Sequence, residues 1–210
     1  MKILIIRSCD RDDLKARLCC ETAKKFKIAD RIIFFHEGNE HPEINKCGEE
    51  IIYREFCDNF GGASNVITML SEIDKLLPKF DNNDTILFSD SDIIFLSNPF
   101  DILPIGTDHA GFYDVNYQIT HGVNHVSGQL NIIKGWLWNN YIEGCEHGIS
   151  QCIRKLNEHN YAIADDTIFS VFSYLNDAKQ FAFKTGEAWL HHKINSQEEF
   201  NNYFCNKEKD

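Results

Sequence analysis

The sequence has no apolar run near the roughly 18 residues that crossing a bilayer takes. Its opening stretch, Met1-Lys2-Ile3-Leu4-Ile5-Ile6-Arg7, is too short an apolar segment for a signal peptide. A soluble, cytoplasmic chain is the expectation. Positive charge is also scarce: 21 Lys and Arg face 32 Asp and Glu, for a formal net charge of −11. Nucleic-acid binders carry a basic face and anionic membrane surfaces attract basic segments, so the balance argues against both as constitutive partners. A polyanion such as a nucleotide diphosphate would have to be met by a bound cation or by local backbone donors. The eight cysteines (Cys9, Cys19, Cys20, Cys47, Cys57, Cys145, Cys152, Cys205) contain no CxxC pair and no regular framework, which points to reduced thiols. No repeat, low-complexity tract or linker is visible. The 210 residues are therefore expected to form one domain over 1–210, a monomer or weak dimer.

What is present is core-forming material. Hydrophobic residues make up 43% of the chain and Phe alone contributes sixteen, enough to exclude disorder. Residues 2–6 read as a buried strand, 12–26 as a helix with Leu14, Leu18, Ala23 and Phe26 at helical spacing, and Arg31 to Phe35 and Ile51 to Tyr53 as further strands. That alternation indicates βαβ units and an α/β fold. Gly61 to Asn65 opens another helix, with Ser64 or Asn65 as N-cap, and Pro78 ends it. Thr85 to Phe88 is a fully apolar strand, and Ile93 to Leu96 is apolar again. Later strands are expected at His109 to Tyr113, Val126 to Ile133, Phe181 to Phe183 and Ala188 to Leu190, and helices at Ile149 to Leu156 and Asp166 to Leu175.

Between the two apolar runs stands Asp90-Ser91-Asp92. In open α/β sheets the carboxyl ends of strands form the ligand crevice. Two carboxylates placed there are costly unless a cation or donors compensate them, and their like charges would raise one pKa. A hard divalent ion removes both costs, and Mg²⁺ or Mn²⁺ favours one or two carboxylates plus substrate phosphates. A solvated Asp-rich turn is the competing explanation.

The stretch DTILFSDSDIIFLSNPFDIL (Asp84 to Leu103) resembles the DxD region of GT-A glycosyltransferases, and the order of elements follows that family from Met1 to about Asn195. The chain is also similar to the small glycosyltransferases of large algal viruses. The resemblance implies a Rossmann-like central mixed β-sheet flanked by helices, with a smaller C-terminal acceptor-side sheet. It further implies a nucleotide-binding half over 1–100 and an acceptor-binding half over 101–210. The implied activity is transfer of a sugar from a nucleotide-diphosphate sugar, a UDP-sugar such as UDP-glucose being favoured, to a hydroxyl of a glycan or glycoprotein.

On this resemblance Asp90 meets the ribose or the metal, with Ser91 beside it, and Asp92 ligates Mn²⁺ (or Mg²⁺) beneath the diphosphate. His191, or its neighbour His192, supplies a third ligand, and Lys193 contacts the departing diphosphate; solvated histidines are the alternative. Ser8 and Asp10 bond a uracil edge or ribose and Arg7 reaches a phosphate, unless Asp10 simply caps the following helix. Gly62 and Asn65 approach the nucleotide through backbone at a helix N-terminus. Ser127 and Gly128 lie under the sugar, where Val126 replaces the usual Asn and Ser127 or Asn131 substitutes; a core strand with a glycine kink would read the same. Asp166 falls on the catalytic position as base for an inverting transfer, and Asp165 orients it or binds sugar. A helix start favours acids in any case. Two other functions fit the same residues: a haloacid-dehalogenase-like phosphatase, whose nucleophile motif is also DxD after an apolar strand, and a nucleotide-sugar-binding module without turnover.

Overall fold

The computed structural model describes residues 1–39, 41–54, 72–73, 75–77, 79–112, 130–143, 145–158, 160, 165–184, 188–191 and 194–207. Among these residues nine strands can be traced: β1 (Lys2–Cys9), β2 (Arg31–Glu37), β3 (Glu50–Arg54), β4 (Thr85–Asp90), β5 (Ile93–Phe95), β6 (His109–Phe112), β7 (Leu130–Lys134), β8 (Gln180–Phe183) and β9 (Trp189–His191). The helices are α1 (Asp13–Lys25), α2 (Gly135–Glu143), α3 (Cys145–Glu158), α4 (Asp165–Leu175) and α5 (Gln197–Lys207).

Seven strands form one sheet in the order β3-β2-β1-β4-β7-β6-β8, and β5 and β9 form a second, two-stranded sheet. The first four strands of that order run parallel, β7 is antiparallel to both β4 and β6, and β6 and β8 are parallel. β1 is apolar without alternation because both faces of the sheet are covered. Ile3 and Ile5 join one core with Ile86 and Phe88 of β4, Trp138 and Tyr141 of α2, and Phe169 and Phe172 of α4. Leu4 and Ile6 face the other core, with Ala16, Cys19, Cys20 and Ala23 of α1. Full burial of each such Ile or Leu contributes about 1.5–3 kcal/mol.

α1 is anchored from both ends of its length. The buried Asp13 carboxylate accepts from the backbone N–H of Glu43 (2.7 Å) and Ile44 (3.0 Å), fixing the turn after β2. Thr22 Oγ1 accepts from the N–H of Phe95 at 3.2 Å, fixing β5. The helix stops where Lys27 adopts a left-handed φ of 51°, a conformation that ends helices at small energetic cost only over one residue.

The expected α/β architecture with a mixed, helix-flanked sheet and a smaller second sheet is present. The small sheet takes only β9 from the C-terminal part; its other strand, β5, follows directly on Asp92. Several boundaries differ from the sequence expectation. β1 runs on through Arg7 and Ser8 to Cys9 rather than ending at residue 6, because the polar residues still pair with β2 and β4. β4 likewise continues through Ser89 to Asp90. α2 and α5 were not anticipated, and α3 begins at Cys145 rather than Ile149. Residues 72, 73, 75 and 76 are helical; the expected start of that helix at Gly61 to Asn65, and Pro78, lie outside the described residues, as do residues 126–129 of the strand expected from Val126.

Candidate functional site

β1 has β2 on one side and β4 on the other: the strand order runs outward from β1 through β2 to β3 and then resumes on the other side of β1 at β4. Such a switch point opens a crevice at the strand ends. The pairing register sets what lines it: Arg7 stands opposite Asp90, and Ser8 opposite His36. Arg7 Nη2 donates to Asp90 Oδ1, and the guanidinium lies 5.1 Å from the centroid of the Phe88 ring, two residues back on β4. A cation over an aromatic face gains electrostatic attraction beyond its ion pair, which holds Arg7 across the mouth of the crevice. Neither partner is deeply buried (22% and 28% exposed), so solvent screening keeps the pair modest in energy.

Ser91 and Asp92 turn the chain from β4 into β5, and Asp92 is only 7% exposed. β5 then pairs with β9, and the first rung of that pairing is Ile93 with His191. The backbone of His191 is thus brought next to Asp92, although roughly a hundred residues separate them in the chain.

On the other side of Arg7, a chain of hydrogen bonds crosses from β1 to β2. His36 Nδ1 lies 2.9 Å from Ser8 Oγ and His36 Nε2 lies 3.1 Å from Asp10 Oδ1. Because the carboxylate only accepts, Nε2 carries the proton and donates, while Nδ1 accepts from the Ser8 hydroxyl. The imidazole is fully buried, and burial pushes its pKa below the usual value; the bond to Asp10 opposes that, and His41 adds to it. Asp10 Oδ2 also accepts from the Asn39 N–H at 3.4 Å. Gly38 makes this approach possible. Its φ is +121°, and a Cβ there would lie 2.0 Å from Asp10 Oδ1. Beyond His36, the His41 ring stands 5.2 Å away edge-on, and its Nε2 meets the hydroxyl of the half-exposed Tyr53 at 2.6 Å.

The structure therefore brings together Arg7, Ser8, Asp10, Asp90, Ser91 and Asp92 at one end of the sheet. Two details differ from expectation. Asp10 is no helix cap: it opens a 3-10 turn (Asp10–Asp12) and its carboxylate goes to His36 and Asn39. Ser8 is occupied by His36. Asp165 and Asp166 begin α4, but their side chains, and that of His191, lie outside the described set. Phe169, one helical turn further along, packs 6.2 Å ring to ring with Phe88. Gly62, Asn65, Ser127, Gly128, His192 and Lys193 lie outside the described residues. Among the described residues, no three His, Cys, Asp or Glu side chains gather into a metal-ligand cluster. Sequence reasoning missed His36, Gly38 and Tyr53. The available signal was a histidine directly after the apolar run of β2, at the carboxyl end of a strand adjacent to β1.

No protein-family model matches the chain, and no curated protein sequence matches it. Among solved structures, the chain is similar to the galactosyltransferase LgtC, crystallised with donor and acceptor sugar analogues. The TM-score is 0.54 at 12% identity, over 82% of this chain and 70% of that one. A likeness at that identity is one of fold. The fold is GT-A-like: a mainly parallel seven-stranded sheet with flanking helices and a small two-stranded sheet.

Proposed function

We propose that the chain is a glycosyltransferase. It moves a sugar from a nucleotide-diphosphate sugar, with a UDP-sugar such as UDP-glucose favoured, to a hydroxyl of a glycan or glycoprotein. The observation that carries this reading is the placement of Asp90-Ser91-Asp92 at the carboxyl end of β4, beside Arg7, in a GT-A-like sheet. The similarity to a galactosyltransferase holding donor and acceptor sugar analogues supports it.

In this reading the nucleoside lies against the end of β1. Asp10, held by His36 and 41% exposed, accepts from a base N–H or ribose hydroxyl, and Arg7 lends positive charge to the phosphates. Gly62 and Asn65 add backbone donors, Ser127 and Gly128 pass beneath the sugar, and Lys193 meets the leaving diphosphate. The acceptor oxygen bonds to the anomeric carbon as the bond to the diphosphate oxygen breaks. Asp166 takes the acceptor's proton and Asp165 orients it, in an inverting displacement with oxocarbenium character. The donor set suits a hard divalent cation. Asp90 and Asp92 offer two carboxylates separated by one residue, His191 ends β9, the partner strand of β5, and His192 is next in sequence; these would hold Mn²⁺ or Mg²⁺. Such an ion, when bound, neutralises charge growing on the diphosphate. That is how so acidic a chain would accommodate a polyanion.

The test is a screen of nucleotide sugars for Mn²⁺-dependent nucleotide release, with chelated protein as control. Asp92→Ala is expected to abolish turnover and metal-dependent UDP binding. Full activity in that variant would rule out the role given to Asp92. Hydrolysis of an aryl phosphate without sugar transfer would favour the phosphatase instead, and UDP-sugar binding without any product would favour a binding module.

A further inference from the structure

The opposite end of the sheet carries a second polar constellation. Lys2 of β1 is in register with Thr85 of β4, and Thr85 with Lys134 of β7. Register partners share a face, and strands lie about 4.8 Å apart, so two lysines flank one threonine on a single rung, their Cα atoms about 10 Å apart. This rung borders a cavity of about 200 Å³ whose apolar wall is made by Phe100, Leu103, Pro104, Ile105 and Ile132.

The charges around this cavity are arranged unusually for a chain of net charge −11. Lys2 Nζ sits 3.8 Å from the centroid of Phe100, and Lys134 Nζ donates to Thr85 Oγ1 at 3.2 Å. At the rim, Lys179 Nζ donates to the Ile105 carbonyl at 3.0 Å. All three ammonium groups thus meet neutral partners. Of the neighbouring carboxylates, Asp108 itself lines the cavity, and each of the three is held by donors other than these ammonium groups. Asp84 bonds the N-terminal ammonium and the Asp81 N–H, Asp30 the N–H of Lys2, and Asp108 the Trp136 Nε1–H and the Lys179 N–H. Two ammonium groups carried on strands about 10 Å apart repel each other only weakly across solvent, and an anion placed between them would meet both. Ile105, at the mouth, is 97% exposed. The site is far from the crevice: Lys2 and Thr85 start β1 and β4, five residues before Arg7 and Asp90, about 17 Å apart at 3.3 Å per residue.

We propose that this cavity binds an anionic group, phosphate or carboxylate, carried on a small apolar body, with Lys2 and Lys134 gripping the anion and the Phe100–Ile105 wall covering the apolar part. The anion satisfies two ammonium groups at once, and the hydroxyl of Thr85 lies between them. Such an anion reaches the protein either free in solution or as a lipid headgroup. Both sources present the same chemistry to the rung.

Isothermal titration with phenyl phosphate and with inorganic phosphate tests the free source. Co-sedimentation with vesicles containing phosphatidic acid tests the lipid source. Wild-type protein is expected to bind phenyl phosphate or the vesicles, and phenyl phosphate more tightly than inorganic phosphate. Lys134→Gln and Lys2→Met together are expected to weaken the bound probe at least tenfold. Leu103→Glu, which sets a carboxylate in the apolar wall, provides a second loss should the double variant fail to fold. Loss confined to phenyl phosphate assigns the free source, and loss of vesicle binding assigns the lipid. The proposal is overturned if neither probe binds, if folded variants bind like wild type, or if inorganic phosphate binds as tightly as phenyl phosphate.

Discussion

Replacing Gly38 with alanine probes how the crevice end of β1 is held. The added Cβ would stand 2.0 Å from Asp10 Oδ1, 2.3 Å from its Cγ and 2.5 Å from Oδ2. Carbon and oxygen do not approach within 3 Å, so the carboxylate must swing away by at least an ångström. Its bond to His36 Nε2 is then broken. A hydrogen bond to a charged group contributes about 1.5–3 kcal/mol, which is cut to about 1 kcal/mol here because Asp10 is 41% exposed and screened by solvent. The backbone adds a separate cost. A φ of +121° is open to glycine, and an L-residue held in such a region costs about 1–3 kcal/mol. The sum is about 2–4 kcal/mol. With a urea slope near 2 kcal/mol/M, the denaturation midpoint should fall by about 1–2 M. The two terms separate in a double-mutant cycle with Asp10→Ala: once the carboxylate is gone, Gly38→Ala should cost only the backbone part. His36 reports independently. The Asp10 bond raises its pKa against the effect of burial, so NMR titration of the ring in Gly38→Ala should give a lower value than wild type. An unchanged midpoint together with an unchanged His36 titration would refute the argument.

Three further outcomes follow from described contacts. His109 is fully buried between Asn131 Oδ1 (3.0 Å) and Ser173 Oγ (2.6 Å), and burial pushes its pKa down to about 4. Since the unfolded chain takes up this proton near pH 6.5 and the native one only near 4, its stabilising effect is complete above 6.5 and lost as pH falls through 4. The full loss is about 3 kcal/mol, and His109→Gln should flatten the difference in denaturation stability between pH 6.5 and 4.5; an identical slope would contradict it. Gly135→Ala would set a Cβ 2.0 Å from the carbonyl oxygen of Asp81, a backbone atom that cannot rotate away, and a drop in stability of about 2 kcal/mol or more is expected by thermal melting. Raising salt from 50 to 500 mM should weaken phenyl phosphate binding at the Lys2–Lys134 rung, since partly exposed charges are screened; insensitivity to salt would count against an electrostatic grip.

How much of this was legible in the sequence depended on range. β1, β2 and β4 are runs of consecutive apolar residues because each is covered on both faces, and Asp90-Ser91-Asp92 interrupts such runs abruptly enough to be found without coordinates. α2 was invisible because Gly135 heads it and Asn139 and Asn140 occupy its middle, all weak helix formers. Its helix is imposed by Leu137, Trp138 and Tyr141 packing on the sheet. α5 is mostly polar, and only Phe200, Tyr203 and Phe204, which pack near Leu14 and Leu18 of α1, give it a face. The Ser8–His36–Asp10 chain and the Lys2–Thr85–Lys134 rung are products of strand register, which no local pattern reveals. Each of those residues alone is an ordinary polar side chain at a strand end.

The pairing of β5 with β9 also sets a timetable. Closing a loop of roughly a hundred residues costs about 2 kcal/mol more entropy than closing one of ten, so this rung is slow to form relative to the β1–β2 unit. At a synthesis rate of about 5–20 residues per second, Ile93 emerges about 5–20 s before His191 exists. During that interval the edge of β5 has no partner strand, although Ile93, Ile94 and Phe95 are all apolar. An apolar edge waiting in a nascent chain invites pairing with other chains. Aggregation in expression should therefore respond to the rate of elongation between residues 95 and 191, and a chain cut short before β9 should be markedly less soluble than the whole.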